Sequence, residues 1–209
     1  NSESNVQFGE GGAGAFSDGK LTTLIKNIRC QKVLEILVAH GAPADIVYTH
    51  NPHVGTDVLK EVVKSMRRKI IALGGEVRFG AKVTSLIIEN QQLKGVVINN
   101  QEQLNAQVVV LALGHSARDT FEQLNEQGVE IVPKAFSIGV RIEHLQQALN
   151  QSQYGNFAQL AALGAAEYKL THLAQNGRHV YTFCMCPGGS VVAASSEDGG
   201  IVTNGMSYH

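Results

Sequence analysis

Residues 108–113 constrain the fold more than any other segment, because all six of them are apolar. The run reads Val-Val-Val-Leu-Ala-Leu and is followed by Gly114-His115-Ser116. A strand with one face in water alternates apolar and polar residues, whereas a strand covered on both faces is apolar throughout. Strands of the second kind occur in the parallel sheets of α/β domains, where helices cover both faces. The run therefore predicts an α/β fold with residues 108–113 in a parallel sheet.

Helices and further strands are predicted from the spacing of the apolar residues. Helical spacing predicts helices, each ended by a following glycine, at residues 31–40, 57–73 and 117–127. Strand-like runs occur at residues 76–79, 83–89, 94–99, 135–144, 179–186 and 191–194. The turn Asn90-Gln91-Gln92 joins two of these runs into a β-meander. Residues 146–174 are polar and rich in Gln and Ala, which favours helix.

Length and composition limit the domain count and the partners. A chain of 209 residues forms one large domain or two small ones, and a change in character near Pro133 predicts domains at residues 1–132 and 133–209. The net charge of −1 argues against nucleic-acid and anionic-membrane partners. The sequence has no apolar run that could span a membrane, a polar start unlike a signal peptide, and too few cysteines for a disulfide framework. These features predict a cytoplasmic protein.

Glycine accounts for 22 of the 209 residues, about one in ten where ~7% is usual. Residues 9–14 satisfy G-x-G-x-x-G, which binds a dinucleotide pyrophosphate when it lies between a strand and a helix. Here the sequence predicts no buried strand before the pattern and no apolar helix after it. Three interpretations stay open: a dinucleotide fingerprint, a flexible loop without a ligand, and a loop whose backbone approaches a cofactor bound elsewhere in the fold.

A longer block around this pattern resembles a known family. Residues 8–21 read Phe-Gly-Glu-Gly-Gly-Ala-Gly-Ala-Phe-Ser-Asp-Gly-Lys-Leu, which is similar to a block of bacterial FAD-dependent dehydrogenases, often described as NAD(FAD)-utilizing dehydrogenases. Five further segments of this chain resemble blocks of the same family in the same order: residues 53–57, 112–119, 136–144, 183–189 and 202–209. The resemblance implies an oxidoreductase that transfers hydride between FAD and either NAD(P)H or a small organic substrate.

The resemblance also implies that parts of the FAD site lie outside this chain. Such flavoproteins hold FAD with an N-terminal βαβ unit and with a second segment near the C-terminus, and neither is found in this sequence. Residues 1–132 then resemble the second part of an FAD-binding domain, and residues 133–209 most of a mainly β domain on the substrate side. We expect the chain to be the middle of a longer enzyme. Alone, it is expected to be inactive and to retain little or no flavin.

Candidate site residues are carried over from the resemblance. They are expected in the glycine block, at the backbone of Val83, in the turn after residues 108–113 and in the last block. The candidate cofactor-binding residues are Gly11, Gly12, Ala13, Gly14, Ser17, Asp18, Gly19, Lys20, Val83, Gly114, His115, Ser116, Asn204, Gly205 and Met206. His115 is also the candidate catalytic residue, because imidazole exchanges a proton near neutral pH. Its alternative role is structural, as a cap of the following helix or in a backbone hydrogen bond.

The spacing of the cysteines and the net charge argue against a metal site, redox-active cysteines and an RNA substrate. Cys184 and Cys186 alternate along a predicted strand, and we interpret them as small buried residues. The sequence lacks the ligand spacing of a zinc site, so no metal is predicted. One alternative to the dehydrogenase is a non-catalytic module whose glycine loops bind a ligand or a partner chain. Another is a flavoprotein that acts on RNA, which the near-neutral charge argues against.

Overall fold

The architecture is given by a computed structural model, which describes residues 9–12, 21, 23, 25–49, 52–183, 185–195 and 198–206. Contacts between Cα atoms divide the chain into two units. The larger unit consists of Asn1–Gly74 together with Val140–His209, and the smaller unit is Gly75–Gly139. The predicted boundary near Pro133 falls inside the smaller unit. The assignment of domains to residues 1–132 and 133–209 stays a prediction.

Two helices and a short turn form the first part of the larger unit. They are α1 (Arg29–Ala39), a 3₁₀ turn (Ala44–Val47) and α2 (Thr56–Ala72). Gly41 and Gly74 follow the helices with φ of 108° and 86°, values that residues with a Cβ rarely adopt. Both helices predicted in this part of the chain are confirmed, and so are the glycines that end them.

A small apolar core fixes the position of α2. Val54 and Val62 are 0% exposed and Ile46 is 2% exposed, and Ala42 and Leu59 complete the cluster. Complete burial of a side chain of this size contributes roughly 1.5–3 kcal/mol. This part of the larger unit therefore holds α2 against the 3₁₀ turn and against the segment that precedes α2.

Three antiparallel strands form the sheet of the smaller unit. They lie in the order β1 (Val83–Glu89), β2 (Gln92–Ile98) and β3 (Glu102–Asn105). Asn90 and Gln91 in the first turn have φ of 51° and 61°, and Asn99 and Asn100 in the second have 53° and 57°. Hairpin turns of type I′ require positive φ at both central residues, and asparagine tolerates it better than most residues do. The predicted meander is confirmed, and β3 extends it.

α3 (Arg118–Glu126) packs against β1 and confirms the short helix predicted there. Its Leu124 is buried. The Gln127 side chain that follows α3 donates Nε2 to the Leu86 carbonyl at 2.7 Å and accepts the Leu86 N–H at 2.9 Å. One amide side chain thus makes the two hydrogen bonds that a neighbouring strand would make with Leu86. Gly128 ends the helix with φ of 79°.

Residues 108–113 form no strand in the structure, so the predicted parallel sheet is not shown and stays a prediction. Every strand pair in the described part of the chain is antiparallel. Val108 and Val110 are 81% and 84% exposed. A strand that is apolar on both faces needs neighbouring strands and covering helices, and the described residues supply no strand beside it. Residues 76–79 also lack strand pairing. The part of the predicted fold class that is confirmed is the mixture of helices and strands.

Short elements make up the rest of the larger unit. They are α4 (Gln146–Tyr154), 3₁₀ turns at Gly155–Phe157 and Ala161–Leu163, and two hairpins, β4 (Thr171–Leu173) with β5 (His179–Tyr181) and β6 (Ser190–Ala193) with β7 (Thr203–Met206). No helix in the described ranges combines the length and apolar content needed to cross a bilayer.

Three predictions for this region are wrong in extent. Of residues 146–174, only α4 is α-helical, because Gly155 at φ of 53° ends it after nine residues. Residues 135–144 have no strand pairing. Of the described residues among 179–186, the first three form a strand. Beyond them the Leu170 N–H donates to Thr182 Oγ1 at 2.9 Å, while the Thr182 N–H donates to the Leu170 carbonyl at 2.9 Å.

Candidate functional site

The first candidate cofactor residues lie in a tight turn at residues 9–12, called here the glycine turn. The Gly12 N–H donates to the Gly9 carbonyl at 3.0 Å. Gly9, Gly11 and Gly12 have φ of 109°, 82° and 50°, so the turn depends on glycine. A Cβ added to Gly9 would meet no described atom within 4 Å. Among the residues that the structure describes, Gly9 and Gly11 of the glycine turn are exposed. The candidates outside the described residues are Ala13, Gly14, Ser17, Asp18, Gly19 and Lys20.

An ion pair connects the glycine turn to α2. The Arg67 Nε donates to Glu10 Oε1 at 2.7 Å, between residues 57 positions apart in sequence. The two side chains are 28% and 30% exposed, so water screens their interaction less than it would at an open surface. Because the apolar core fixes α2, the ion pair holds the glycine turn to a packed part of the molecule.

Val83, the predicted adenine contact, begins β1 beside a polar cleft of about 180 Å³. The cleft is also lined by Lys82, Thr84, Asn100, Asp119, Thr120 and Gln123. Ligand pockets usually measure ~300–1,000 Å³. Within the described residues of the smaller unit, the cleft is therefore too small to enclose a nucleotide.

Two ion pairs of the smaller unit lower carboxyl pKa values. The pKa of Asp119 lies below its ordinary value because Lys82 donates a hydrogen bond to it, and the Thr120 N–H adds another. The pKa of Glu102 is lowered by Arg78, whose two Nη atoms donate to its carboxylate oxygens at 2.9 and 2.5 Å. Both carboxylates are therefore ionised at neutral pH.

The turn of Gly114, His115 and Ser116 lies directly before α3. Gly114 has φ of 71°, and a Cβ added to it would meet no described atom within 4 Å. His115 is exposed and is not the N-cap of α3, a position that Ala117 holds without a side-chain hydrogen bond. Leu113 and Val83 line one small apolar cavity of about 20 Å³. The structure thus places Leu113, the residue before this turn, at the same cavity as Val83, and a cofactor contact at either place stays a prediction.

The last candidates, Asn204, Gly205 and Met206, lie on β7, paired with β6. A Cβ added to Gly205 would lie 2.7 Å from Cys186 Sγ, closer than non-bonded atoms approach. A Cβ added to Gly189 would lie 2.7 Å from the Met206 carbonyl oxygen. Packing within the chain therefore explains these two glycines, and a cofactor contact at Gly205 stays a prediction. Cys186 is partly buried against β7, and Cys184 lies outside the described residues.

The Gln146 side chain connects three segments around this hairpin. Its Nε2 donates to the Ala166 carbonyl at 2.9 Å and to Asn150 Oδ1 at 2.8 Å. Its Oε1 accepts the Gly188 N–H at 2.8 Å. Ala166 is 1% exposed, so these hydrogen bonds form at a packed point. They hold the turn of residues 187–189 next to the start of α4.

The structure brings together two polar pairs that the sequence did not predict. The Arg141 Nη2 donates to Asn204 Oδ1 at 3.1 Å, which places a cation beside a candidate cofactor residue. His144 Nε2 lies 2.6 Å from Tyr168 Oη, and the two rings meet edge to face. His144 and Tyr168 are 24 positions apart, so no local pattern relates them. Only the folding of the chain brings them together.

Comparison with known proteins points to flavoproteins. Residues 135–209 match a family described as FAD-dependent protein, C-terminal domain-like. The whole chain is also similar to an uncharacterized protein of Clostridium beijerinckii, with 55% identity over 210 residues. That alignment covers 100% of this chain and 39% of the relative, so the chain spans well under half of the relative's length. The resemblance to flavoproteins is confirmed at this level, for the segment that contains Gln146 and β7.

Each unit contains described residues with the chemistry that part of an FAD site would need. Gly9, Gly11 and Gly114 are exposed, and exposed glycine backbone suits the approach of a phosphate group or a flavin edge. Arg141 adds a cation beside β7. In the described ranges, no three His, Cys, Asp or Glu side chains cluster as metal ligands would. The site residues themselves stay predictions.

Proposed function

We propose that the protein is an FAD-dependent oxidoreductase and that this chain supplies part of its cofactor site. The observation that carries the proposal is the match of residues 135–209 to FAD-dependent proteins. The two open glycine turns support it, because they present backbone where a cofactor could approach. Bound FAD would supply hydride chemistry, with NAD(P)H or a reduced small organic substrate as the electron source.

The chain's own residues bind and orient in this proposal. The glycine turn, with the candidates that follow it, presents backbone N–H groups to the pyrophosphate. The Val83 backbone faces the adenine, and residues 204–206 form a second contact segment. The His115 imidazole holds or releases a proton at a ring nitrogen next to the reacting centre. These roles explain why the accessible turns depend on glycine.

We also propose that residues 108–113 join a parallel sheet in the whole protein. The exposure of Val108 and Val110, at 81% and 84%, supports this, because neighbouring large apolar side chains that lie open to water often mark a surface that another segment covers. The rest of the sheet would come from sequence outside this chain, which spans 39% of its relative. The sequence encoded before Asn1 offers a check: a strand, a G-x-G-x-x-G turn, a helix and a strand ending in Glu are expected there.

The function is tested on the full-length gene product. Purified under native conditions, it is expected to carry about one FAD per chain, measured by flavin absorbance and by chromatography of the released cofactor. Anaerobic NADH or NADPH, or a panel of reduced organic substrates, should bleach the flavin. A full-length protein that neither contains FAD nor binds added FAD would overturn the proposal and favour a non-catalytic binding module.

A further inference from the structure

The ion pair between Arg67 and Glu10 restrains the one part of the glycine turn that carries a long side chain. Three of the four residues in the turn are glycine, and glycine loses more conformational freedom on ordering than any other residue. A connection to the rigid helix α2 lowers that cost, because the turn is held before a ligand arrives. The Nε–Oε1 distance of 2.7 Å is that of a charge-assisted hydrogen bond.

Charge gives the same pair a second role. A carboxylate at Glu10, in a turn that faces a pyrophosphate, would repel the ligand at short range. The guanidinium of Arg67 neutralises this carboxylate from the side of α2. The guanidinium acts more strongly on the carboxylate where water screens the two charges less. Both side chains are partly buried, at 28% and 30% exposure.

We propose that Arg67 is a positioning residue for the cofactor: it holds the glycine turn through Glu10 and cancels the Glu10 charge, and both effects raise the affinity for the FAD pyrophosphate. The inference rests on the proposed function, since it takes the glycine turn to face FAD. It adds α2 to the elements that act in cofactor binding. The sequence predicted a cofactor contact for the glycine block and none for α2.

The test is a double-mutant cycle in the full-length protein, with the FAD dissociation constant of the apoprotein measured by flavin fluorescence. Arg67→Met is expected to weaken FAD binding about tenfold, because it leaves a charged carboxylate uncompensated. Arg67→Met with Glu10→Gln should recover only the part of that loss that comes from the uncompensated charge, because the turn is still not held to α2, and Arg67→Lys should recover part of the loss by keeping the cation. Riboflavin, which lacks the pyrophosphate, should bind all variants alike. Arg68→Met, on an exposed neighbour in α2, is the matched control.

The outcomes separate the two proposals. If wild-type protein binds FAD and Arg67→Met changes only thermal stability, Arg67 is merely structural and the inference is wrong. Equal weakening of FAD and riboflavin would also overturn it, because the effect would not involve the pyrophosphate. If wild-type protein binds no FAD at all, the proposed function fails, and this inference fails with it.

Discussion

Single residues here carry constraints that come from their neighbours in space. Gly205 accommodates the Cys186 thiol, since a Cβ on Gly205 would lie 2.7 Å from Cys186 Sγ. Gly205→Ala is therefore expected to destabilise the chain by about 1–3 kcal/mol in urea unfolding. Adding Cys186→Ala to that variant should restore part of the loss. Gly139→Ala is the control, because a Cβ there meets no described atom within 4 Å. Equal effects at the two glycines would contradict the packing argument.

His115 is the residue whose chemistry the proposed function needs. It is exposed beside an open glycine and is not the N-cap of α3, so its replacement should leave the fold intact. His115→Gln in the full-length protein is expected to slow flavin reduction about 10²–10⁴-fold while flavin content stays unchanged. Stopped-flow absorbance measures the rate, and His179→Gln on the exposed strand β5 is the control. A rate within about twofold of wild type would exclude a catalytic role.

At the scale of elements, α2 depends on its buried face. Val62 is 0% exposed, whereas Ile71 on the same helix is 50% exposed. Val62→Ala is expected to cost roughly 2 kcal/mol, from the lost apolar burial and the cavity left behind. Ile71→Ala should cost well under half of that. Urea unfolding followed by circular dichroism compares the two, and similar costs would show that the core cluster does not hold α2.

The ion pair of Lys82 with Asp119 connects α3 to the residue before β1, and it predicts a pH dependence. Because the folded-state pKa of Asp119 is lowered, its stabilisation is present above the unfolded pKa of about 4 and is lost as pH falls through the folded value. Asp119→Asn should therefore lower stability at pH 7 slightly, and the difference should shrink as the pH falls below the unfolded pKa. Glu122→Gln on the same helix is the control for losing a carboxylate. A difference that grows in acid would contradict the assigned sign.

For the whole molecule, exposed apolar segments indicate surfaces that need cover. Phe136, Ile138 and Val140 alternate along residues 135–144 and are 84–90% exposed. Val108 and Val110 are 81% and 84% exposed. We expect the full-length protein to protect the amides of residues 108–113 and 136–142 from hydrogen exchange far better than the 209-residue chain does. The chain alone should also retain little or no FAD. Equal protection in both proteins, or stoichiometric FAD in the chain alone, would contradict this.

Local patterns in the sequence were sufficient where an element is stabilised by its own residues. The apolar spacing and closing glycines predicted α1, α2 and α3, and the turn after β1 predicted the meander, because caps, turns and amphipathic faces act within a few residues. The glycine block also predicted a loop, and the structure has a turn at residues 9–12. The flavoprotein resemblance, seen in short blocks, agrees with the match of residues 135–209.

Tertiary structure decided what depends on partners distant in sequence. Residues 108–113 have the composition of a buried strand, but a strand forms only where another strand pairs with it, and the described residues supply none. The pairs of Arg67 with Glu10 and of His144 with Tyr168 join positions 57 and 24 residues apart, which no local pattern relates. The sequence by itself therefore determined α1, α2, α3 and the turn between β1 and β2. Only the tertiary structure decided which side chains meet, because those contacts depend on packing between elements rather than on spacing within one.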